Sequence, residues 1–141
     1  MKKYCTVFPI TRELNELQLA ELYMIADILV LPSKGGGFEL CGLEALSKGI
    51  PILYTEGLAM DDYAKGYGLP IKAIKEDKPW NNPIHCGFFY KPDIDDFYEK
   101  LNYALDNLDE LKDKALKFRE ERAKEYFWDK ICERLRNAIE S

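Results

Sequence analysis

Ile28-Leu29-Val30-Leu31-Pro32-Ser33-Lys34-Gly35-Gly36-Gly37-Phe38-Glu39-Leu40-Cys41-Gly42-Leu43-Glu44-Ala45-Leu46-Ser47-Lys48-Gly49-Ile50-Pro51-Ile52-Leu53-Tyr54 carries the pattern that sets the fold. Ile28 to Leu31 is apolar on both faces, as a strand covered by helices on each side must be. Pro32 to Gly37 ends that strand in a loop. Leu40, Leu43, Ala45 and Leu46 predict a short helix, and Gly49 suits the position just past its end. Pro51 to Tyr54 is then a second buried strand. Strand, glycine turn, helix and strand is the repeating unit of an α/β fold, a Rossmann-like parallel sheet covered by helices.

In such a sheet ligands sit beyond the carboxyl ends of the strands. A helix start there offers unpaired N–H groups and a positive dipole end, which suits a phosphate or pyrophosphate. Three consecutive glycines, Gly35, Gly36 and Gly37, let the backbone approach that ligand without an intervening Cβ. Glu44 falls about one turn into the helix, where a carboxylate can accept hydrogen bonds from sugar hydroxyls. The competing readings are a plain tight turn and a solvated glutamate. Generic nucleotide motifs fail: the dinucleotide fingerprint needs glycine where Leu40 stands, and no G-x-x-x-x-G-K-[ST] occurs. Ser33 lies in no G-x-S-x-G elbow, so a hydrolase triad has no support.

Before this unit, Tyr4 to Phe8 is a short β-prone run, and Asn15 with Gln18 three residues on marks a helix start. After it come a short helix around Met60 to Ala64, a bend at Gly66-Tyr67-Gly68, a strand over Pro70 to Ile74 and a loop over Glu76 to Cys86. Gly87 to Tyr90 is a last short strand. All 9 glycines and all 7 prolines lie at or before Pro92, whereas 24 of the 49 residues from Asp93 onward are charged. The division predicts an α/β part over 1–92 and a helical part over 93–141 within one domain. Asp93 is a plausible N-cap. The segments around Leu101, Leu111 and Phe118 read as helices packed on the sheet with a solvated outer face, and so does the last, from Trp128 to Ile139.

The 141 residues carry 20 Lys+Arg against 25 Asp+Glu, a formal net charge of −5 without a basic stretch, which argues against nucleic acid as the main partner. No apolar run approaches the ~20 residues of a membrane span, and Met1 to Cys5 lacks a secretory core. Cys5, Cys41, Cys86 and Cys132 are scattered, as expected for free thiols in a reducing cytoplasm. His85-Cys86 has no second pair of ligands nearby, so no metal is expected.

Several segments, taken in order, resemble one family. Leu22 to Ser33 is similar to "LYxxADVFVLPS", Gly37 to Ile52 to "GFGLPxLEAMAxGxPV", Gly87 to Asp93 to "GLLVPPGD", and Tyr126-Phe127-Trp128 to "FSW". These are marks of the nucleotide-sugar-binding C-terminal domain of GT-B glycosyltransferases, in the large retaining group that includes glycogen and sucrose synthases and many mannosyl- and glucosyltransferases. The resemblance implies transfer of a sugar from a nucleotide diphosphate sugar to an acceptor, with retention and without an essential metal or other cofactor.

It implies that the backbone of Gly36, Gly37, Phe38, Leu40 and Cys41 holds the donor, and that Glu44 matches the second glutamate of an E-x-x-x-x-x-x-x-E motif, which binds ribose. The first glutamate falls on Gly36. Glu39, where the family usually has glycine, is the carboxylate expected to serve in its place as the catalytic candidate. The family's helix-capping serine is Phe127 here, leaving Asp129 as the expected cap. The sequence starts after two strand–helix units that usually open the donor domain, and no acceptor domain is expected in it. A further domain, a companion chain or self-association would complete it; the alternative is a non-catalytic nucleotide-sugar-binding or protein-interaction module. By the same resemblance the last helix would cross to the acceptor domain, leaving Trp128, Ile131 and Leu135 partly unsupported.

Overall fold

A computed structural model describes residues 6–76 and 88–140. Helix α1 (Glu16–Ile25) starts in a complete capping box: the Asn15 side chain accepts from the Gln18 amide, and the Gln18 side chain accepts from the Asn15 amide. Strand β1 (Leu29–Leu31), helix α2 (Leu40–Ser47) and strand β2 (Ile52–Thr55) follow. Gly49 takes φ +79° just after α2, a conformation that L side chains rarely adopt. A Cβ there would also meet Leu116 Cδ2 at 2.7 Å. Helix α3 (Asp61–Ala64) leads to β3 (Leu69–Ile71).

The three strands form a parallel sheet in the order β1-β2-β3, with Leu53 opposite both Val30 and Leu69. All four residues of β2 are buried, as the central strand of a covered sheet requires. Helix α2 packs against β1 and β2. The architecture is therefore α/β, with a three-stranded parallel sheet flanked by helices, in keeping with a partial Rossmann-like domain.

The predicted strand over Pro70 to Ile74 is in fact two. Lys72 interrupts it because its amide donates to the carboxylate of Asp96 at 2.8 Å instead of to a neighbouring strand. Beyond it, β4 (Ala73–Glu76) pairs antiparallel with β5 (Phe89–Pro92), so the last strand sits two residues later than expected and outside the parallel sheet. The expected loop over Glu76 to Cys86 lies outside the described residues apart from Glu76, and so do His85, Cys86 and Gly87. Thr6 to Phe8 form no strand, and Val7 and Phe8 are exposed; a short β-prone run needs a paired neighbour, and Tyr4 and Cys5 lie outside the described residues.

Helix α4 (Ile94–Asp106) is capped by Asp93, whose carboxylate accepts from the amides of Asp95 and Asp96 at 2.9 and 3.0 Å. Helix α5 (Leu108–Glu121) packs against α2 through the fully buried Ala115 and Phe118. A 3-10 turn (Ala123–Tyr126) and helix α6 (Trp128–Glu140) complete the chain. The expectation that α6 packs on the sheet is wrong. None of its residues is buried; Trp128 is 80% exposed and Ile139 74%. Among the described residues its apolar stripe is covered by no helix or strand, and its main neighbour is the 3-10 turn. Asp129 is not the cap either: the Phe127 carbonyl accepts the first helical bond, from Ile131 N at 3.0 Å, which makes Phe127 the N-cap and puts Asp129 in the first turn.

Candidate functional site

Because β1, β2 and β3 run parallel, their carboxyl ends at Leu31, Thr55 and Ile71 open on one side of the sheet. The turn after β1 is held from outside. Tyr90 N, on β5, donates to the Lys34 carbonyl at 2.8 Å, and a Cβ at Gly35 would approach the Phe89 ring to 3.3 Å. The Phe38 ring packs 5.3 Å from Tyr63 and 6.2 Å from Tyr126, so this side chain anchors the turn to α3 and to the C-terminal helices.

Glu39 begins α2 in the left-handed region at φ 56°, alone among the described non-glycine residues in having a positive φ. An L residue there costs roughly 1–2 kcal/mol. Its carbonyl accepts from the Tyr63 hydroxyl at 2.9 Å and from Gly42 N at 3.1 Å, which fixes the strained turn. The Glu39 side chain gives the helix no cap; it folds back over Gly36, where a Cβ would collide with its Oε1 and approach Cγ and Cδ to 2.7 and 2.8 Å. Among the described residues, Glu39 Oε2 is buried without a hydrogen-bond partner, as is the Thr55 hydroxyl at the end of β2. A buried polar atom left unpaired typically costs about 1–3 kcal/mol. No side chain caps the start of α2, and the amides of Leu40 and Cys41 there have no intrahelical acceptor.

Glu44 points toward α1. Its Oε2 accepts from the Tyr23 hydroxyl at 3.0 Å, and the same hydroxyl lies 3.3 Å from the Cys41 carbonyl. Burial, then the bond to Glu44, pushes the Tyr23 phenol above its ordinary range, so it remains the donor. The Lys48 ammonium sits 5.0 Å from the centre of the Tyr23 ring. Between α1 and α2 lies a groove of about 220 Å³ lined by Glu16, Leu19, Ala20, Tyr23, Glu44 and Lys48. A freely solvated glutamate does not describe Glu44.

Of the residues singled out in the sequence, Gly36 and Glu39 meet at the turn, whereas Glu44 belongs to the groove on the α1 side of the same helix. Leu40 and Cys41 contribute the first turn of α2, and the Leu40 side chain is exposed. Tyr23, Tyr63 and Thr55 were not anticipated. A buried tyrosine hydroxyl needs a partner, and Tyr23 on the α1 face was the available signal. Among the described residues no cluster of three His, Cys, Asp or Glu side chains is placed to hold a metal ion.

The sequence profile described as "Family 4 Glycosyltransferase in conflict systems" matches residues 4–135. A protein of Sulfolobus islandicus filamentous virus named "Putative glycosyltransferase 45" is 36% identical over 124 residues, covering 78% of this chain and 35% of its own length. "Uncharacterized protein 356" of Sulfolobus islandicus rod-shaped virus 1 is 38% identical over 102 residues, covering 68% of this chain and 28% of its own length. The chain thus spans about a third of the length of these curated relatives, or less. No described helix is long and apolar enough to cross a membrane.

Proposed function

The chain belongs to the family 4 glycosyltransferases of conflict systems, and from that membership we propose that it is the donor half of a retaining GT-B enzyme, binding a nucleotide diphosphate sugar. The observation that carries this reading is the junction of β1 and α2. A glycine turn feeds an uncapped eight-residue helix at the carboxyl ends of parallel strands, and Glu44 is held in the adjoining groove by Tyr23. First-turn amides of α2 and the helix dipole are suited to a diphosphate, first as ligand and then as leaving group. Glu44 Oε1 then receives a ribose hydroxyl while Oε2 stays bound to Tyr23. The setting proposed is cytoplasmic, in line with the free thiols of Cys41 and Cys132.

Transfer needs an acceptor site, and we place that on a further domain or companion chain. Two features support a partner. Among the described residues β1 has a strand neighbour on one side only, and α1, just before it in the chain, exposes Leu17, Met24 and Ile25; an open strand edge is ordinarily covered. Gly36, standing where the resemblance places the first glutamate, favours a second reading, a donor-binding module without turnover. Sugar transfer by the chain together with an acceptor-domain partner would select the enzyme, and binding without transfer the module.

A thermal-unfolding panel of UDP, GDP, ADP and their hexose conjugates tests donor binding. A ligand at a hundredfold its Kd stabilises the folded chain by about 2.7 kcal/mol, a rise of several degrees in Tm. At least one nucleotide is expected to do this. A flat response to all of them would overturn the reading.

A further inference from the structure

We infer that Glu39 is the specificity-determining residue for the transferred sugar, and that Gly36 is glycine because the Glu39 carboxylate occupies its side-chain space. The inference rests on the donor-site reading and goes beyond it. Among the described residues no group pairs with the buried oxygen of the Glu39 carboxylate. The Glu39 backbone is left-handed, where glycine would be relaxed. Strain of this kind persists where the surrounding structure over-determines it, and it clusters at ligand sites. Here the Tyr63 hydroxyl and Gly42 amide hold the Glu39 carbonyl, while the Phe38 ring is pinned to Tyr63 and Tyr126.

The chemistry of the site selects its ligand. An ionised carboxylate only accepts hydrogen bonds, so the group it awaits is a donor. A diphosphate offers none, whereas the hydroxyls of a neutral sugar beside that diphosphate supply several. Glu39 is therefore matched to the sugar and indifferent to the bare nucleotide. Gly36 completes the arrangement: a methyl group there would stand 2.7 Å from Glu39 Cγ and 2.8 Å from Cδ, forcing the carboxylate away.

The test is a double-mutant cycle of Glu39→Gly and Gly36→Ala, read by urea unfolding and by calorimetric titration with UDP, GDP, ADP, UDP-glucose, GDP-mannose and ADP-glucose. Glu39→Gly is expected to raise the folding equilibrium constant about fivefold, to leave bare-nucleotide affinity within twofold, and to weaken the matching hexose conjugate at least tenfold. Gly36→Ala is expected to weaken the hexose conjugate in the parent chain and to have no further effect once Glu39 is gone. Equal sugar affinity in Glu39→Gly and the parent would overturn the inference, as would reduced stability of that variant or an equal effect of Gly36→Ala in both backgrounds. Failure of the parent to bind any bare nucleotide would strike the donor-site reading instead.

Discussion

Phe118→Ala is expected to destabilise the chain by about 3–5 kcal/mol, the usual cost of emptying a fully buried aromatic site. Phe118 is 0% exposed, and it closes the contact between α5 and the layer below. Its ring meets Tyr67 at 5.3 Å edge-on and Tyr126 at 6.3 Å nearly stacked. Tyr126 in turn touches Phe38, so this cluster links the C-terminal helices to the glycine turn. The neighbours are held by separate elements, so they cannot collapse together into the space. Against a total of about 5–15 kcal/mol for an ordinary domain, the loss is large enough to unfold much of the population at mild denaturant. Urea unfolding monitored by circular dichroism reads it as a lower midpoint with an unchanged slope. A loss below about 1 kcal/mol would mean that α5 is not seated on α2 as described.

Glu44→Gln is expected to weaken nucleoside diphosphate and nucleotide sugar alike, by about 1.5–3 kcal/mol or roughly ten- to a hundredfold. The substitution keeps the shape of the side chain and an oxygen able to accept from Tyr23, so folding is little disturbed. What it removes is the charge that makes a ribose diol bind well. Its breadth separates it from a change at Glu39, which reaches only the sugar conjugate. Calorimetric titration of the variant with both ligand types is the measurement. Parent-like affinity for the nucleotide would leave Glu44 as a carboxylate that serves only Tyr23.

The strand–turn–helix–strand unit was readable because each piece has its own local cause: the apolar run at Leu29 to Leu31, the glycines, and Gly49 at the helix end. The caps at Asn15 and Asp93 were readable for the same reason, since a cap is set by residues within one turn of it. The break at Lys72 was not, because its amide is claimed by Asp96 from a helix 24 residues away. Nor did periodicity show the exposure of α6, which only the family resemblance anticipated at Trp128 and Leu135, because an amphipathic stripe states that a helix has an apolar face, not what will cover it. At the site, Glu44 could be named from its place one turn into the helix, and Glu39 only through the family resemblance. The left-handed backbone of Glu39, its carboxylate over Gly36 and the Tyr23 hydroxyl on Glu44 are products of packing between distant segments.

Amide chemical-shift mapping during titration with the nucleotide that most raises Tm locates the donor site on the chain itself. Saturable shifts are expected to cluster over Gly35 to Glu44, with companions at Tyr23 and Thr55, and to fade along α4 and α6. Shifts absent from that segment, or confined to α6, would contradict a donor site at the glycine turn and the start of α2.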